Sequence, residues 1–496
     1  MPVIPNKAQF FQSLNEQGLA VTYDDVRLRT IVKPAQRVTA VETNLVSRFS
    51  RNVELKIPIV SSPMDTVTGS EMAIAMAKVG GLGIIHSANS IDEQLAEVQR
   101  VKFHRNGLIE KPVTVSLTDT VAAVVERRRL AQYDFSTFPV IDKQGRLVGI
   151  FTQSDVDYCR NPSEPVKKHM RPLKQLVYAT GKTSPKAAYD IMYREGKLNT
   201  LPLIDKNGLL IGLYIKSDVL RVIQDNPKNY NLDTNGRLRV GAAVPTDPEE
   251  ASERLKAIGE FIDVVVIDTA NGNSRYLFET LARIKKETTL DVVAGNVSEG
   301  YSARLLAKAG ADGIRVGQGG GSICTTRRET GIGTPQVTAV YECAQAVEEF
   351  GIPVCADGGI KDKGDIAIAL AVGAENVMLG NMLAATKESP GEMTVLENGT
   401  IVMEYRGMGS PSALRDSIAS RKRYGGSSTG TPLPEGVEAQ LLYKGSVFDV
   451  VPVYVKALRK ALEYVGAPDL EHLRRETLLW RITNAGLRES NPHDLL

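Results

Sequence analysis

A cysteine within a glycine-rich segment is the clearest sign of chemistry in the chain. Residues 317–327 read GQGGGSICTTR, with four glycines in five residues and Cys324 near the centre. Glycines of this kind let backbone amides and carbonyls approach a ligand or an ion closely. On such a flexible, amide-lined loop, the charges of Arg327 and Arg328 would favour the thiolate, which is the nucleophilic form. We interpret Cys324 as a catalytic nucleophile, and the alternative is a structural glycine turn with an incidental cysteine.

The other three cysteines carry no comparable signal. Cys159, Cys343 and Cys355 form no CxxC pair and have no histidine at metal-ligand spacing. The pattern therefore indicates neither a disulfide framework nor a zinc site. We expect these three thiols to be buried and inert.

Two further glycine-containing segments predict an anion site. ADGGI occupies residues 356–360 and LGNM occupies residues 379–382, each directly after an apolar run. Bare glycine amides and helix N-termini bind phosphate, so we expect a phosphorylated substrate. Asp357 would be free to accept hydrogen bonds from sugar hydroxyls. The alternative for DGG is a simple turn.

A basic segment precedes a stretch rich in Gly, Ser, Thr and Pro. RKRYGG occupies residues 421–426, and SSTGTPLPEG follows it up to residue 436. This composition is typical of a mobile surface loop. Spacing alone would assign the basic residues to contacts with phosphate or solvent.

Eight short apolar runs, each followed by a helical stretch, must position these segments. They occupy residues 57–61, 83–86, 238–243, 264–268, 292–295, 313–317, 353–357 and 376–380. Near-continuous apolar strands that alternate with helices predict an α/β fold with a parallel sheet buried on both faces, and eight such units close a TIM (β/α)8 barrel. In this barrel the chemistry lies where strands end, and the loops after strands seven and eight bind phosphate.

An internal repeat interrupts the series between strands two and three. FPVIDKQGRLVGIFTQSDV at residues 138–156 returns as LPLIDKNGLLIGLYIKSDV at residues 201–219, 63 residues later. Each copy predicts a strand, a turn, a second strand and a helix capped by serine, with further helices at 119–130 and 185–193. The pair resembles a tandem of CBS domains, or Bateman module. The alternative is a duplicated packing unit without a ligand.

Motifs along nearly the whole chain resemble those of the inosine-5′-monophosphate (IMP) dehydrogenase family. They are SSPMDTVT at 61–68, GGSICTTR, GIGTPQ at 331–336, ADGG, YRGMGS at 405–410 and PEG at 434–436. The resemblance implies oxidation of IMP to XMP with reduction of NAD⁺, in de novo guanine nucleotide biosynthesis. Cys324 would attack C2 of the purine, hydride would pass to the nicotinamide, and water would hydrolyse the covalent intermediate.

The resemblance also implies roles for individual residues. Those expected to bind IMP are Ser62, Ser322, Asp357, Gly358, Gly359, Gly380, Asn381, Tyr405, Arg406, Gly407, Met408, Gly409 and Glu435. Those expected near the nicotinamide riboside are Asp268, Asn296, Gly317, Gln318 and Gly319. Thr326 would assist the chemistry. Arg423 and Tyr424 would form the Arg-Tyr pair of a flap (residues 421–436), with Arg423 as general base, although guanidinium groups are almost fully protonated near neutral pH.

A monovalent cation and an assembly follow from the same resemblance. K⁺ would be held by oxygen atoms, as hard cations prefer, from Gly319, Gly321 and Cys324 together with Glu489, Ser490 and Asn491 of a neighbouring subunit. The family often has His where Asn491 stands, but a backbone carbonyl serves equally. We therefore expect a homotetramer, or an octamer through the CBS domains. ATP or GTP is expected at the CBS module, with Asp155 and Asp218 meeting ribose.

Two other functions remain open. GMP reductase resembles this chain in barrel and nucleophile but deaminates GMP with NADPH. The Arg-Tyr flap and TKESPGE at residues 386–392 favour the dehydrogenase. A non-enzymatic nucleotide sensor built on the CBS pair would leave Cys324 and the flap without a role.

Composition limits the partners and the location. The 496 residues include 60 Lys and Arg against 58 Asp and Glu, a net charge of +2, which indicates no nucleic-acid partner. No apolar run reaches the roughly 18 residues that span a bilayer, and the start MPVIPNKAQFFQ lacks the layout of a signal peptide, so we expect a cytoplasmic protein without membrane contact. We expect barrel residues at 1–107 and 223–496 around CBS domains at 108–165 and 166–222.

Overall fold

The structure is a computed structural model that divides into two compact units. It describes residues 5–30, 38–104, 108–109, 112–130, 135–224, 227–424, 430 and 432–492. Met1–Lys102 and Pro227–Leu496 form one unit, and Phe103–Asn226 forms the other. The second unit therefore interrupts the chain of the first. In the described part of the chain, every helix is too short or too polar to cross a membrane.

Eight parallel strands close a barrel in the first unit. They are β1 (Ile59–Ser61), β2 (Leu82–Ile85), β3 (Gly241–Val244), β4 (Val264–Asp268), β5 (Asp291–Val297), β6 (Gly313–Val316), β7 (Val354–Asp357) and β8 (Asn376–Leu379). Each strand pairs with the next in the chain, and β8 pairs with β1. The predicted TIM-barrel fold is confirmed.

Eight helices accompany these strands. They are α1 (Ser70–Lys78), α2 (Ile91–Phe103), α3 (Pro248–Ile258), α4 (Arg275–Glu287), α5 (Gly300–Lys308), α6 (Gln336–Val347), α7 (Lys363–Ala371) and α8 (Val447–Val465). Side chains next to a helix start can fix the residue at which the helix begins, as α3 shows. Asp247 accepts hydrogen bonds from the N–H groups of Glu249 and Glu250 at the start of α3, where Pro248 occupies the first turn.

Apolar side chains fill the barrel and close one of its ends. The interior cluster consists of Val60, Leu82, Ile84, Ala243, Val264, Val266, Val293, Cys355 and Met378 with Phe49, Val53 and Leu55. The last three come from a hairpin formed by Ser47–Arg48 and Glu54–Leu55. The hairpin lies where strands begin, since the Arg51 N–H donates to the carbonyl of Asp312 just before β6. This hairpin does not cover the opposite end of the barrel, where the strands finish, so that end is available for a binding site.

Seven of the eight predicted strands differ from the structure at one or both ends, by at most three residues, and only 264–268 has the predicted bounds. The predicted strand 238–243 is β3, which begins only at Gly241. Leu238 forms a bridge with Leu232, and the Arg239 N–H donates to the Asn231 carbonyl at 3.0 Å. The predicted strand 292–295 is β5, which continues to Val297.

An antiparallel sheet follows β8. Its strands are Met393–Val395, Ile401–Arg406 and Glu438–Leu442, and the helices Pro411–Asp416 and Ile418–Arg423 lie between the last two in the chain. The remaining elements of this unit are the helices Lys7–Glu16, Thr326–Thr330, Leu470–Glu476 and Asn484–Glu489, the paired strands Val26–Leu28 and Leu479–Arg481, and 3-10 turns at Tyr23–Asp25, Ala40–Glu42, Pro227–Asn229, Gly259–Phe261 and Glu348–Phe350.

The second unit contains the two predicted copies of strand, turn, strand and helix. The first copy has Phe138–Ile141, Leu147–Phe151 and the helix Gln153–Asp157, and the second has Thr200–Ile204, Leu210–Ile215 and the helix Lys216–Gln224. The preceding helices are Val121–Leu130 and Pro185–Arg194. Short strands at Leu108–Ile109, Val115–Ser116, Arg171–Pro172 and Ala179–Thr180 and 3-10 turns at Val166–Lys168 and Leu173–Gln175 complete the unit.

The predicted serine caps are wrong. In the first copy Thr152 is the N-cap, and its N–H and hydroxyl donate to Asp155 Oδ2 at 2.7 and 2.8 Å. Ser154 lies inside the helix. The Thr-x-x-Asp spacing satisfies two groups at the helix start reciprocally, which a serine further along cannot do. In the second copy the helix begins at Lys216, so Ser217 is also inside it.

The two copies exchange strands. Leu108–Ile109 of the first copy pairs with Leu210–Ile215 of the second, while Arg171–Pro172 of the second pairs with Leu147–Phe151 of the first. Their turns also pair, because the Leu147 N–H donates to the Gly208 carbonyl and the Leu210 N–H donates to the Gly145 carbonyl. Each four-stranded sheet is thus completed by the other copy.

Candidate active site

Cys324 lies after β6 on a segment whose backbone pairs with a distant part of the chain. Cys324 forms a bridge with Gly436. The Thr325 N–H donates to the Glu435 carbonyl at 2.9 Å, and the Val437 N–H donates to the Ile323 carbonyl at 3.0 Å. The sequence predicted a flexible loop here, but this pairing holds the cysteine between β6 and the residues that precede strand Glu438–Leu442.

A short chain of hydrogen bonds leads away from the thiol. Cys324 Sγ lies 3.1 Å from Thr326 Oγ1, and the Thr326 hydroxyl donates to Glu435 Oε2 at 2.6 Å. Because the single hydroxyl proton is directed to Glu435, the hydroxyl oxygen can accept the thiol proton. The arrangement offers a route for a proton from Cys324 to a carboxylate.

Arg327 holds the backbone of the cysteine loop. Its Nε donates to the Gln318 carbonyl at 3.0 Å, and its Nη2 donates to the Thr334 carbonyl. Burial lowers the pKa of Arg327. Arg328 is exposed. The hydrogen-bond partner of the thiol is therefore Thr326, while Arg327 interacts with Cys324 through its charge and Arg328 faces solvent.

A cavity of about 130 Å³ brings the predicted residues together around the thiol. Its predicted lining residues are Ser62, Asn296, Gly317, Gln318, Gly319, Gly321, Cys324, Thr326, Asp357, Gly358, Tyr405, Gly407, Met408, Arg423, Tyr424 and Glu435. They come from the ends of β1, β5, β6 and β7, from residues 405–408 at the end of the strand Ile401–Arg406, and from both borders of the flap. The barrel topology thus converges residues that are up to 373 positions apart, from Ser62 to Glu435.

An adjoining cavity of about 170 Å³ is lined by the segments after β6, β7 and β8. Ser322, Gly358, Gly359, Gly380 and Asn381 line it. Gly358 and Gly359 have φ values of +94° and +78°, which residues with a side chain rarely adopt. Glycine at both positions allows this backbone conformation and leaves the backbone accessible from the cavity.

Tyr405 lies between these two cavities and lines both. It is 3% exposed, and burial raises its pKa to about 12. Its hydroxyl therefore stays protonated near neutral pH and can donate a hydrogen bond. The Ser322 hydroxyl donates to Tyr405 Oη at 3.5 Å.

A buried arginine that the sequence reasoning missed joins the two predicted carboxylates. Arg315 in β6 is 3% exposed; its Nη1 lies 2.5 Å from Asp268 Oδ1 and its Nε lies 2.8 Å from Asp357 Oδ2. Asn296 Nδ2 also donates to Asp357 Oδ2 at 2.7 Å. Two donors thus share Oδ2 of Asp357, which leaves Oδ1 for the sugar hydroxyls that we expect there, and that expectation stays a prediction. The sequence did contain a signal for this residue, because Arg315 is a charged residue within the otherwise apolar run GIRV at 313–316.

Arg423 and Tyr424 border the same cavity from the flap. Arg423 Nη1 donates to Asp268 Oδ2, so the carboxylate of Asp268 binds a different arginine through each oxygen. Tyr424 is packed against Gly409, where an added Cβ would lie 2.7 Å from the ring. Burial raises the pKa of Tyr424. Flap residues 425–429 and 431 lie outside the described residues.

A further cavity of about 400 Å³ meets the cysteine cavity at Met408 and Arg423. Thr246, Tyr276 and Asp268 also line it. These residues follow β3 and β4, so this cavity also lies at the end of the barrel where strands finish. Of the predicted site residues, Asp268, Met408 and Arg423 line this space, and its other lining residues carry no predicted role.

Some predicted residues lie elsewhere. Arg406 pairs with Asp65 at 2.7 Å and with Asp416 at 2.9 Å, and it lines none of the three cavities. Glu489, Ser490 and Asn491 are exposed and also line none of them. A separate cavity of about 650 Å³ contains none of the predicted site residues.

The other cysteines differ from Cys324 in their environment. Cys343 and Cys355 are buried, and burial raises the pKa of both thiols. Cys159 is half-buried, with its Sγ 3.6 Å from His169 Nε2. Burial of Cys343 and Cys355 is as expected, but Cys159 is not fully buried. Within the described ranges, no group of three or more His, Cys, Asp or Glu side chains is arranged to hold a metal ion.

Comparisons with known proteins agree with this architecture. A family model described as "IMP dehydrogenase / GMP reductase domain" matches residues 20–493. Inosine-5′-monophosphate dehydrogenase of Aquifex aeolicus is 41% identical, over 97% of this chain and 96% of the relative. The Bacillus subtilis enzyme of the same name is 40% identical over the same shares.

A solved structure is similar along its full length. It is a cysteine-to-alanine variant of GMP reductase from Trypanosoma brucei in complex with guanosine 5′-monophosphate, with a TM-score of 0.80 and 36% identity. The similarity covers 97% of this chain and 100% of that one. With its barrel, its cysteine loop and its matches over nearly the whole length, this chain belongs to the IMP dehydrogenase / GMP reductase family.

Proposed function

We propose that the protein oxidises IMP to XMP with NAD⁺ and water, releasing NADH and a proton. The observation that carries this proposal is the single cavity in which Cys324, the pair Thr326–Glu435 and the flap residues Arg423 and Tyr424 meet. A nucleophile and a candidate water-activating group in one place suit a reaction with a covalent and a hydrolytic half.

In the first half, the phosphate of IMP would occupy the glycine-lined cavity after β7 and β8, with Tyr405 as a neutral donor. Cys324 Sγ would attack C2 of the purine, and the thiol proton would pass to Thr326 and Glu435. The hydrogen at C2 would leave with its electron pair as hydride. NAD⁺, when bound, supplies the acceptor for this hydride.

In the second half, water would attack C2 and the C2–S bond would break, with the sulfur recovering a proton. Arg423 would be the base that takes the proton from water, and Tyr424 would support it. The Arg423 guanidinium binds the Asp268 carboxylate, which would first take up the guanidinium proton so that Arg423 can accept one from water. Thr326 and Glu435 form a second route for the same proton.

The residues present suit a dinucleotide. Among the residues that the structure describes, Asn296 Oδ1 is buried and has no hydrogen-bond partner, so it is an acceptor available to a ligand group. The cysteine cavity and the 400 Å³ cavity meet at Met408 and Arg423. NAD⁺ would therefore extend through both, with Asn296 and Asp268 near its nicotinamide end, and Arg423 would leave Asp268 when the dinucleotide enters.

K⁺ is the second group that the resemblance implies. The carbonyls of Gly319, Gly321 and Cys324 are of a suitable kind, although the Gly321 carbonyl accepts the Cys324 N–H at 3.1 Å. The exposed segment Glu489–Asn491 would supply oxygens to a neighbouring subunit of a homotetramer. Truncation after Leu487 should weaken K⁺ activation and assembly together, and full K⁺-stimulated activity of a truncated monomer would contradict the proposal.

GMP reductase is the alternative that one specific observation favours, namely the similarity to the Trypanosoma brucei structure. A paired assay decides between the two. IMP with NAD⁺ should produce NADH, measured at 340 nm, and GMP with NADPH should give no turnover. If GMP with NADPH is turned over and IMP with NAD⁺ is not, the protein is a GMP reductase.

The separation of the two halves gives a sharper test. Cys324→Ala should abolish both the NADH burst and steady-state turnover. Arg423→Ala should still give a burst of about one NADH per site and then stall as the covalent intermediate accumulates. Equal loss of burst and turnover in Arg423→Ala would remove Arg423 from its proposed role.

We also propose that the second unit is a CBS pair that binds ATP or GTP. The exchanged sheets and the 63-residue repeat support the assignment. Asp155, which we expect near ribose, already accepts two hydrogen bonds from Thr152 through Oδ2. Binding of radiolabelled ATP to wild type but not to a variant that lacks residues 108–222 tests this assignment.

A further inference from the structure

Lys422, the residue before Arg423, joins the flap to the barrel. Its Nζ lies 2.8 Å from Glu250 Oε2 and 3.8 Å from Asp247 Oδ2. Asp247 caps α3, and Glu250 lies in the first turn of that helix. Arg254 Nη2 lies 3.4 Å from the other oxygen of Glu250, which keeps this carboxylate in place. The contact is thus made to a fixed part of the barrel.

Lys422 and Arg423 are consecutive but contact different strand ends. Lys422 reaches the segment after β3, and Arg423 reaches Asp268 at the end of β4. Both belong to the helix Ile418–Arg423. Because neighbouring residues of a short helix move together, a displacement of this helix that carries Arg423 away from Asp268 also has to break the Lys422 contact.

The position of Arg423 matters for ligand access. Arg423 lines both the cysteine cavity and the 400 Å³ cavity, and its guanidinium binds Asp268 beside their junction. A dinucleotide that spans both cavities has to displace it. The water step of the proposed function instead needs Arg423 in place.

We infer that Lys422 is a positioning residue whose ion pair with Glu250 stabilises the flap position in which Arg423 lies against Asp268. The pair therefore sets the balance between dinucleotide binding and water activation. This inference rests on the proposed function. The side chains of Lys422 and Glu250 are 38% and 23% exposed, so the effect of losing the pair should be modest, roughly two- to fivefold.

Lys422→Gln tests the inference because it should change the KM for NAD⁺ and kcat in the same direction. The KM for NAD⁺ should fall and kcat should fall, each roughly two- to fivefold, and the NADH burst should become larger relative to steady-state turnover. Lys422→Arg keeps the charge and should restore wild-type constants. Lys460→Gln is the matched control, because Lys460 also lies 2.8 Å from a glutamate, Glu463, on the exposed face of α8. A rise in KM, or no change relative to the control, overturns the inference.

A double-mutant cycle identifies the partner. Glu250→Gln should reproduce the effect of Lys422→Gln, and the double variant should show no more than either single change. Full additivity of the two effects would show that Lys422 acts through another group and would overturn the inference.

Limited proteolysis separates this inference from the proposed function because it needs no turnover. In Glu250→Gln, which retains Lys422, trypsin should cleave after Arg421, Lys422 or Arg423 roughly two- to fivefold faster than in wild type or Lys460→Gln. Unchanged cleavage overturns the inference. If wild type does not oxidise IMP, the proposed function fails, and the cleavage rates still decide whether the Glu250 contact restrains this segment.

Discussion

Arg315 places one positive charge between the two carboxylates that the proposed chemistry uses. Its guanidinium binds Asp268 and Asp357 through different nitrogens while remaining 3% exposed. A planar fork can hold two carboxylates at fixed angles, whereas an ammonium acts as a point charge. The arginine thus fixes Asp357 on the proposed nucleotide side of the cavity and Asp268 on the proposed dinucleotide side relative to each other.

Two substitutions of Arg315 should separate charge from geometry. Arg315→Met leaves Asp357 without its cation and Asp268 with only Arg423 in a buried position, and it should lower the free energy of unfolding by about 3–5 kcal/mol, measured by chemical denaturation. Arg315→Lys should remain folded but lose roughly ten- to a hundredfold in kcat/KM, because the aspartates are no longer held in one geometry. Wild-type stability of Arg315→Met would contradict this view of the network.

Lys444 should make the affinity for IMP depend on pH. Its Nζ donates to the Asn381 carbonyl beside the proposed phosphate position, and burial lowers the pKa of Lys444 to about 8. The positive charge is therefore present below that pH and lost above it, so attraction for phosphate declines as pH rises. The KM for IMP should increase roughly two- to fivefold from about pH 7 to about pH 9 in wild type. In Lys444→Met the KM should be flat over this range, and parallel profiles would exclude Lys444 as the cause.

The sequence indicated many residues of the candidate site but not the contacts among them. Cys324 and the glycines of GQGGG and ADGG were recognisable because residues of these types at this spacing are compatible with only a few functions. The chain Asp268–Arg315–Asp357 was not, because it depends on which side chains of β4, β6 and β7 face each other at the strand ends. Arg406 has the residue type expected for phosphate, yet its partners Asp65 and Asp416 lie on other segments.

At the scale of elements, a buried ion cluster secures the two places where the chain leaves and re-enters the barrel. Lys102 near the end of α2 is 1% exposed, and its Nζ lies 2.7 Å from Asp263 and 3.0 Å from Asp233. Asp233 follows the interruption, and Asp263 directly precedes β4. Three segments distant in sequence are thus joined at one buried cation.

Lys102→Met should therefore lower the free energy of unfolding of the barrel by about 3–5 kcal/mol, since the buried carboxylate of Asp263 loses its cation and Asp233 keeps only Arg237. Lys56→Met is the matched control, because Lys56 also lies 2.7 Å from a carboxylate, Glu54, but both side chains are half-exposed. The control should change stability by less than about 1 kcal/mol. Equal losses in the two variants, measured by chemical denaturation, would show that burial of the cluster does not matter.

Elements that carry a strong local pattern were easier to predict than elements that do not. All eight barrel strands were recognised, because continuous apolar runs followed by helices are a strong local pattern. The sheet Met393–Val395, Ile401–Arg406 and Glu438–Leu442 was not predicted, since its strands are exposed or only partly buried and form no continuous apolar run before a helix. The exchanged strands Leu108–Ile109 and Arg171–Pro172 are two residues long and carry no periodicity.

At the scale of the whole molecule, the interruption of the barrel predicts a dispensable regulatory unit. None of the residues that line the cysteine cavity lies between 103 and 226. Replacing residues 108–222 with a short Gly-Ser linker should leave turnover near that of the full chain, because Lys102 and Asp233 remain to hold both ends. Any effect of ATP or GTP, typically a coupling of about 1–3 kcal/mol, should disappear. A shortened protein that folds and assembles but has no turnover would place the second unit in the active site.

The strand exchange between the two repeats has a consequence for how the second unit folds. Each repeat lacks a strand of its own sheet and receives it from the other, so neither can bury its sheet edge alone. The unit should consequently melt in one cooperative transition, although it contains two hydrophobic clusters. A fragment with one repeat should associate with a second copy of itself, and two complementary fragments made separately should reconstitute a heterodimer. The two repeats thus pair as the two subunits of a dimer would. The covalent link between them replaces the association of separate chains.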